Sequence, residues 1–218
     1  MCSVDDFPSL RASLVDDLVR DGHVRTVAVE RAFRAVPREL FVPQDRQRAS
    51  YADTPLPIPM GQTISAPSMI AIQLEEADLA AGLKVLDVGT GSGYNAALLA
   101  AMVGPRNVVS IERHPELLAF ARDNLRRADF DIVVVTGDGT QGYAPGAPYD
   151  RIVVTAGAPR ITRSWIRQTK MGGKIVAPIG RSTFSQILVT ATKTAEEKVV
   201  MREGTPCAFV PLVGKEGW

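Results

Sequence analysis

The sequence predicts an α/β fold: a doubly wound, mainly parallel sheet with an N-terminal helical extension and an antiparallel C-terminal edge. From Lys84 onward, short aliphatic and β-branched runs alternate with helix-forming runs, and alternation at that pitch means right-handed crossovers between parallel strands. The run Lys84-Val85-Leu86-Asp87-Val88-Gly89-Thr90-Gly91-Ser92-Gly93-Tyr94 leads a buried-type strand into three glycines spaced two apart, with a helix former over 95–100 behind them. A strand, a glycine turn and a helix N-terminus together build a nucleotide-type site at the edge of a parallel sheet. The last third changes character. Residues 186–194 and 208–213 read as strands with no long helix between them, which predicts the antiparallel edge.

At 218 residues the chain can bury a substantial core. One domain over 1–218 is expected, with helices and a proline-rich segment in 1–80 and a cofactor-binding α/β core in 81–218. Over 8–20, Leu10, Leu14 and Leu18, with Val15 and Val19 beside them, form one helical stripe that stops near Gly22. Residues 27–36 repeat the pattern more weakly and end at Pro37. Phe41-Val42-Pro43 opens a long irregular stretch with Pro55, Pro57 and Pro59 at alternate positions, a composition that suits neither helix nor sheet interior. Loops of that length are usually disordered or functional. A helix is predicted over 67–77, with Pro67 in its first turn and Ser65 or Ala66 as its cap. Strands are predicted at 84–88, 107–112, 131–135, 151–155 and 174–178, with helices at 94–102, 115–127 and 161–169 between them.

With 25 basic and 24 acidic side chains there is no global charge bias, so nothing proposes nucleic acid or a polyanionic surface as a partner. No apolar run approaches the ~20 residues that a membrane span requires. Met1-Cys2-Ser3-Val4-Asp5-Asp6 lacks the basic and apolar regions of a signal peptide. Two cysteines, Cys2 and Cys207, make neither a disulfide framework nor a metal cluster; Cys207 reads as a small core residue. His23 and His114 stand far apart and argue against a zinc site. The expectation is a cytoplasmic, metal-free monomer that binds neither nucleic acid nor membrane.

Which cofactor the glycine loop takes follows from spacing and charge. A dinucleotide fingerprint reads G-x-G-x-x-G, because the pyrophosphate needs amide donors in the loop and at the helix start. Here the spacing is G-x-G-x-G, and Asp87 precedes it. A carboxylate at that point repels a pyrophosphate and suits an ammonium or sulfonium group. Glu112 ends the next strand, a position that can hold a ribose diol. The strand after that runs into Thr136-Gly137-Asp138-Gly139. Three acids at successive strand ends, with no Lys or Arg in the glycine loop, favour S-adenosylmethionine over NAD. Taken singly, each acid reads equally as a solvated turn residue or a helix cap.

These segments, with several others, resemble one family, the protein-L-isoaspartate O-methyltransferases, over nearly the whole chain. Gly61-Gln62-Thr63-Ile64-Ser65-Ala66-Pro67 is similar to the distinctive segment before the first strand of its Rossmann-like methyltransferase sheet. Asp87 to Tyr94 is similar to its cofactor loop. Pro148-Tyr149-Asp150-Arg151-Ile152 and Ala156-Gly157-Ala158-Pro159 resemble its fourth-strand region, and Phe209-Val210-Pro211-Leu212-Val213-Gly214-Lys215-Glu216-Gly217-Trp218 its C-terminal signature. Ala35-Val36-Pro37-Arg38-Glu39-Leu40-Phe41-Val42-Pro43 matches as well. The resemblance implies that Ser65 is the active-site serine, with Thr63 and Ile64 lining the cofactor and substrate cleft. It carries over Gly89, Thr90 and Gly91 to the methionine part of the cofactor, Glu112 to the ribose, and Asp138 with Gly139 to the adenine. Asp87, by its strand-end position, is expected near the amino group of the methionine part, or else as a cap of the following turn. Ala66, Ser68 and Val213 are expected at the substrate. Some members carry histidine where this chain has Ser68, which leaves a role for that side chain open.

The implied reaction is methyl transfer from S-adenosyl-L-methionine, leaving S-adenosyl-L-homocysteine, to the α-carboxylate of L-isoaspartyl residues in damaged proteins and peptides. The ester closes to a succinimide, which can reopen to normal aspartate. A carboxylate with an unperturbed pKa near ~4 is ionised at neutral pH, so no general base is required. That agrees with a chain offering no His–acid or Cys–His constellation. Proximity and orientation then carry the rate, and Ser65 is expected as a hydrogen-bonding positioner, not a nucleophile; the bland alternative is a helix N-cap worth about 1 kcal/mol. Tyr94 is expected to pack over the cofactor loop, Met69 and Trp165 in the core, and His23 and His114 at the surface. A shallow groove between 54–64 and 209–217 is expected to read an exposed, kinked peptide by shape and main-chain hydrogen bonds. The rival readings are a peptide-specific aspartate O-methyltransferase on the same fold and a non-catalytic cofactor-binding module. An NAD oxidoreductase is disfavoured by the glycine spacing.

Overall fold

The computed structural model describes residues 6–182 and 185–218; the readings of Met1 to Asp5, Cys2 among them, lie outside the described residues. Helix α1 (Phe7–Arg20) starts at Asp6, whose side chain accepts from Ser9 N, and buries Leu14, Val15 and Leu18. Helix α2 (Val27–Ala35) is capped by Thr26 and buries Val29, Ala32 and Phe33. Two 3-10 turns, Arg38–Phe41 and Gln44–Ala49, lead into the proline-rich stretch. There the structure corrects the sequence: the stretch contains a short hairpin, β1 (Leu56–Ile58) antiparallel to β2 (Gln62–Ile64), with Pro57 opposite Thr63. A two-stranded ribbon tolerates a proline because the missing N–H can face away from the partner strand. Helix α3 (Pro67–Ala77) follows over the residues predicted for it.

The core sheet comprises β3 (Val85–Val88), β4 (Val108–Glu112), β5 (Val133–Thr136), β6 (Tyr149–Val154), β7 (Thr169–Ser182), β8 (Ser185–Ala195) and β9 (Lys198–Cys207). Helices α4 (Tyr94–Val103), α5 (Pro115–Arg127) and α6 (Arg163–Gln168) make the crossovers. The strand order is β5-β4-β3-β6-β7-β8-β9, parallel from β5 through β7 and antiparallel at β7-β8-β9. All four residues of β3 are buried, as expected of a central parallel strand covered on both faces. Helix α4 is buried on nearly every side because α2 packs over it. Connections leave β3 toward β4 on one side and β6 lies on the other. The crevice at that reversal, outside the carboxyl ends of the strands, is where such sheets bind ligands.

Two further expectations are corrected. Residues 208–213 do not form a strand, and β9 forms where none was expected. Strand β9 is an edge with mostly exposed residues, so it carries no inward–outward alternation to read. Residues 208–218 instead run as an irregular strap across the carboxyl ends of the sheet. Gly157 N donates to Val210 O and Leu212 N to Gly157 O, each at 2.8 Å. The buried Gln186 side chain accepts from Phe209 N at 2.6 Å. The apolar run there reflects burial of Phe209 and Leu212 against the core.

Candidate active site

Two cavities open side by side at the carboxyl ends of β3, β4 and β6. One is a cleft of about 940 Å³, its open mouth included, bounded by the glycine loop, the end of β4 and the strap. The other, about 1000 Å³ counted the same way, is a groove between the hairpin with the start of α3 and the strap. They share a wall: Thr63, Ser65, Thr155, Val210 and Pro211 line both. The groove lies where the sequence places one, and no ionisable side chain lines it.

The glycine loop is shaped by its left-handed backbone. Gly89 sits at φ 96°, and a Cβ there would lie 2.7 Å from Thr155 Oγ1, so no larger residue fits. The loop amides consequently face inward. Gly89 N and Thr90 N donate to Ile111 O at 2.9 and 3.2 Å, Gly93 N to Thr90 O at 2.8 Å, and Gly91 N to Glu112 Oε2 at 3.0 Å. A phosphate brought to this loop finds those donors already engaged, in contrast to a dinucleotide site.

Glu112, buried at the end of β4, also accepts from Arg113 N and His114 N through Oε1, at 2.8 and 3.1 Å. Carboxylate oxygens keep further lone pairs after such bonds, and Glu112 lines the cleft together with Ile111, Leu117 and Leu212. An acid beside an apolar slot suits a ribose diol carrying a planar base.

The other two strand-end acids turn away from the cavities and line neither of them. Asp87 is wholly buried. Its Oδ1 accepts from Asn95 Nδ2 at 2.8 Å and its Oδ2 from Ser110 Oγ at 2.7 Å, and Ser110 Oγ meets Thr90 Oγ1 at 2.6 Å. One carboxylate thereby braces β3, β4, α4 and the loop from behind. Burial pushes its pKa up to about 6, against the opposing pull of the Ser110 and Asn95 hydrogen bonds. Asp138 accepts from Thr140 N and Oγ1 at 2.9 and 2.7 Å and from Lys215 N, in the strap, at 2.8 Å. Burial raises its pKa, but the hydrogen bonds from Lys215 and Thr140 outweigh that and hold it below the ordinary carboxylate value. Its neighbour Gly139 does line the cleft, with its carbonyl accepting from Trp165 Nε1 at 2.8 Å.

Thr63, Ile64, Ser65, Thr90, Gly91 and Val213 all line the cleft, and Ala66 lines the groove. Ser68 lines neither cavity. Its backbone N–H donates to Asp53 Oδ1 at 2.8 Å, so Asp53 serves the first turn of α3. Ala66 occupies the cap position without a side-chain bond, which removes the capping alternative for Ser65. The Ser65 hydroxyl forms no hydrogen bond among the described residues, while its carbonyl accepts from Arg38 Nη2 at 2.8 Å. His114 stands at the start of α5 and also lines the cleft, and Met69 packs against the core as expected and also lines the groove. Tyr94 lines the cleft and packs on Phe33 and Phe41, and Trp165 is buried in the core as expected.

Sequence reasoning missed Thr155 and Arg38. Thr155 stands just past β6, beside β3, and its hydroxyl lies 2.7 Å from Gly89 O. The rule that ligands sit where strand order reverses marks that position. Arg38 lies in the Ala35–Pro43 segment that resembles the family, but its role depends on a carbonyl 27 residues away.

Among the described residues no group of three or more His, Cys, Asp or Glu is placed to hold a metal ion. No helix among them is long and apolar enough to cross a membrane. Comparison with known proteins identifies the family. Residues 9–217 match the family described as Protein-L-isoaspartate(D-aspartate) O-methyltransferase. A protein-L-isoaspartate O-methyltransferase of Hyperthermus butylicus is 51% identical over 222 residues, spanning 97% of this chain and 92% of that protein. A solved protein-L-isoaspartate O-methyltransferase superposes with a TM-score of 0.84 at 30% identity, covering 95% of this chain and 67% of the other. Another, from Plasmodium falciparum and in complex with S-adenosyl-L-homocysteine, superposes with a TM-score of 0.82 at 27% identity, covering 93% and 98%. A match over almost the entire length, rather than over the glycine loop alone, means that this chain belongs to the protein-L-isoaspartate(D-aspartate) O-methyltransferase family.

Proposed function

We infer that the chain transfers a methyl group from S-adenosyl-L-methionine to the α-carboxylate of L-isoaspartyl residues in damaged proteins and peptides. The observation that carries this reading is the shared wall. A cleft suited to a nucleoside with a cationic tail meets an uncharged, peptide-sized groove at Thr63, Ser65 and Thr155. The chain's own residues fit the cofactor: Glu112 offers lone pairs to a ribose diol, Ile111, Leu117 and Leu212 offer an apolar slot to a base, and the engaged loop amides disfavour a phosphate. When bound, S-adenosyl-L-methionine supplies an electrophilic methyl group on a sulfonium.

Every other task falls to the protein. The acceptor carboxylate is already an anion at neutral pH, in keeping with a groove that has no base in its lining. The free Ser65 hydroxyl can donate to that carboxylate and hold one oxygen toward the cleft. Thr155 fixes the Gly89 peptide on the facing side. The strap walls both cavities through Val210 and Pro211, which limits water at the point of transfer. Orientation in a sheltered site is the principal source of rate when neither partner needs a proton moved.

Action as a monomer is part of the same reading. The reading places the chain in the cytoplasm, acting on ageing proteins. The test is transfer of a labelled methyl group to an isoaspartyl peptide beside its normal aspartyl twin. The isoaspartyl form is expected to acquire a base-labile ester and the twin to remain unlabelled. Equal labelling of both, or labelling of the aspartyl twin alone, would overturn the reading.

A further inference from the structure

The groove that receives an anionic acceptor has no charged side chain in its lining, yet a cation stands directly behind it. Arg38 is 0% exposed. Its Nε donates to Ser50 O and its Nη2 to Ser65 O, both at 2.8 Å. The guanidinium carbon lies 5.0 Å from the centre of the Tyr94 ring, and Tyr94 is among the residues lining the cofactor cleft. Nη1 is buried with no hydrogen-bond partner. Arg38 forms no ion pair among the described residues, and the Asp53 carboxylate nearby is turned to Ser68 N. A guanidinium remains charged even when buried, and a buried charge without an ion-pair partner is costly. Such a charge is expected where a function requires it.

We propose that Arg38 is a positioning residue for the methyl acceptor, fixing the Ser65–Ala66 peptide at the groove and giving that neutral wall its preference for an anion. The inference rests on the isoaspartyl reading above. A trans peptide points its C=O and N–H in opposite directions. With the Ser65 carbonyl held by Arg38, the Ala66 N–H is turned away from the guanidinium, and Ala66 lines the groove. A charge-assisted bond to the carbonyl polarises the peptide and strengthens its N–H as a donor. The same bond sets the backbone from which the Ser65 hydroxyl projects. The Tyr94 ring supports the guanidinium on its other side.

The test uses the wild type, Arg38→Gln and Arg38→Lys. Calorimetry measures S-adenosyl-L-homocysteine binding and then, in its presence, binding of an isoaspartyl peptide and of its neutral α-carboxamide twin. The wild type is expected to prefer the carboxylate peptide by about ten- to a hundredfold. Arg38→Gln is expected to bind S-adenosyl-L-homocysteine as the wild type does but to lower that preference to within about threefold. Arg38→Lys keeps a charge but cannot span both carbonyls as a planar fork. It is expected to raise KM for the isoaspartyl peptide with unaltered S-adenosyl-L-homocysteine affinity, and this second variant decides if Arg38→Gln fails to fold. An Arg38→Gln protein with the wild-type preference overturns the proposal. So does equal loss of both peptides and S-adenosyl-L-homocysteine, or a wild-type KM in Arg38→Lys. A wild type that methylates no isoaspartyl peptide overturns the underlying function instead, and the assay separates that result from the others.

Discussion

Ser65 shows how one residue divides its groups between structure and function. Its carbonyl is bound by Arg38, its hydroxyl has no partner among the described residues, and α3 takes its first-turn acceptor from Asp53. Ser65→Ala is therefore expected to lower kcat/KM for an isoaspartyl peptide by about ten- to a hundredfold while changing the unfolding free energy by less than about 0.5 kcal/mol. Steady-state kinetics beside urea unfolding checks both; a loss of about 1 kcal/mol with unchanged kinetics would indicate a cap instead. Asp87 is the complementary case, a buried brace with a titration of its own. Its pKa rises on folding from 3.8 to about 6, chiefly through burial. Between those values the folded chain binds more protons than the unfolded one, so stability falls as pH rises through that window. The contribution is fully present below pH 3.8 and lost above 6, amounting to about 3 kcal/mol. Asp87→Asn removes this titration. Unfolding curves at several pH values are expected to show the wild type losing stability relative to Asp87→Asn between roughly pH 4 and 6; parallel curves would contradict it.

At the level of elements, the end of the strap around Lys215 is pinned by the clasp that Asp138 makes with Lys215 N and Thr140. A Cβ at Gly214 would lie 2.1 Å from Asp138 Oδ1, so a glycine is required for the strap to approach so closely. The folded-state pKa of Asp138 is depressed. Its contribution is present above 3.8 and lost as pH falls through the folded value. Asp138→Ala is expected to speed hydrogen exchange at the Lys215 and Glu216 amides by about tenfold or more at neutral pH, and unchanged exchange would show that other contacts hold the strap. The same clasp explains a limit of sequence reading. The position of Asp138 after its strand is legible locally, but the direction of its carboxylate is decided by a residue 77 positions later. The β3–loop–α4 unit and α3 were legible because each combines an apolar run with a boundary residue, a glycine or Pro67. The β1–β2 hairpin and β9 were not, because three-residue strands are too short for their alternation to stand out and an exposed edge has none.

Across the whole molecule, strand order does most of the positioning. The reversal at β3 sets the cofactor cleft, and the strap closes it from the far end of the chain. The N-terminal helices and turns bring Arg38 and Asp53 behind the segment that carries Ser65. That arrangement explains why the resemblance spans the chain instead of stopping at the glycine loop. It also explains why a sheet shared with many nucleotide-binding proteins here serves a different ligand: the loop amides are turned onto Ile111, Thr90 and Glu112.

The most direct measurement is a pair of calorimetric titrations of the purified chain, one with S-adenosyl-L-homocysteine and one with NAD. Saturable heat with S-adenosyl-L-homocysteine and none with NAD is expected, because the amides of Gly89, Thr90, Gly91 and Gly93 in the loop are already bonded within the protein. Tight binding of NAD together with no heat from S-adenosyl-L-homocysteine would contradict it.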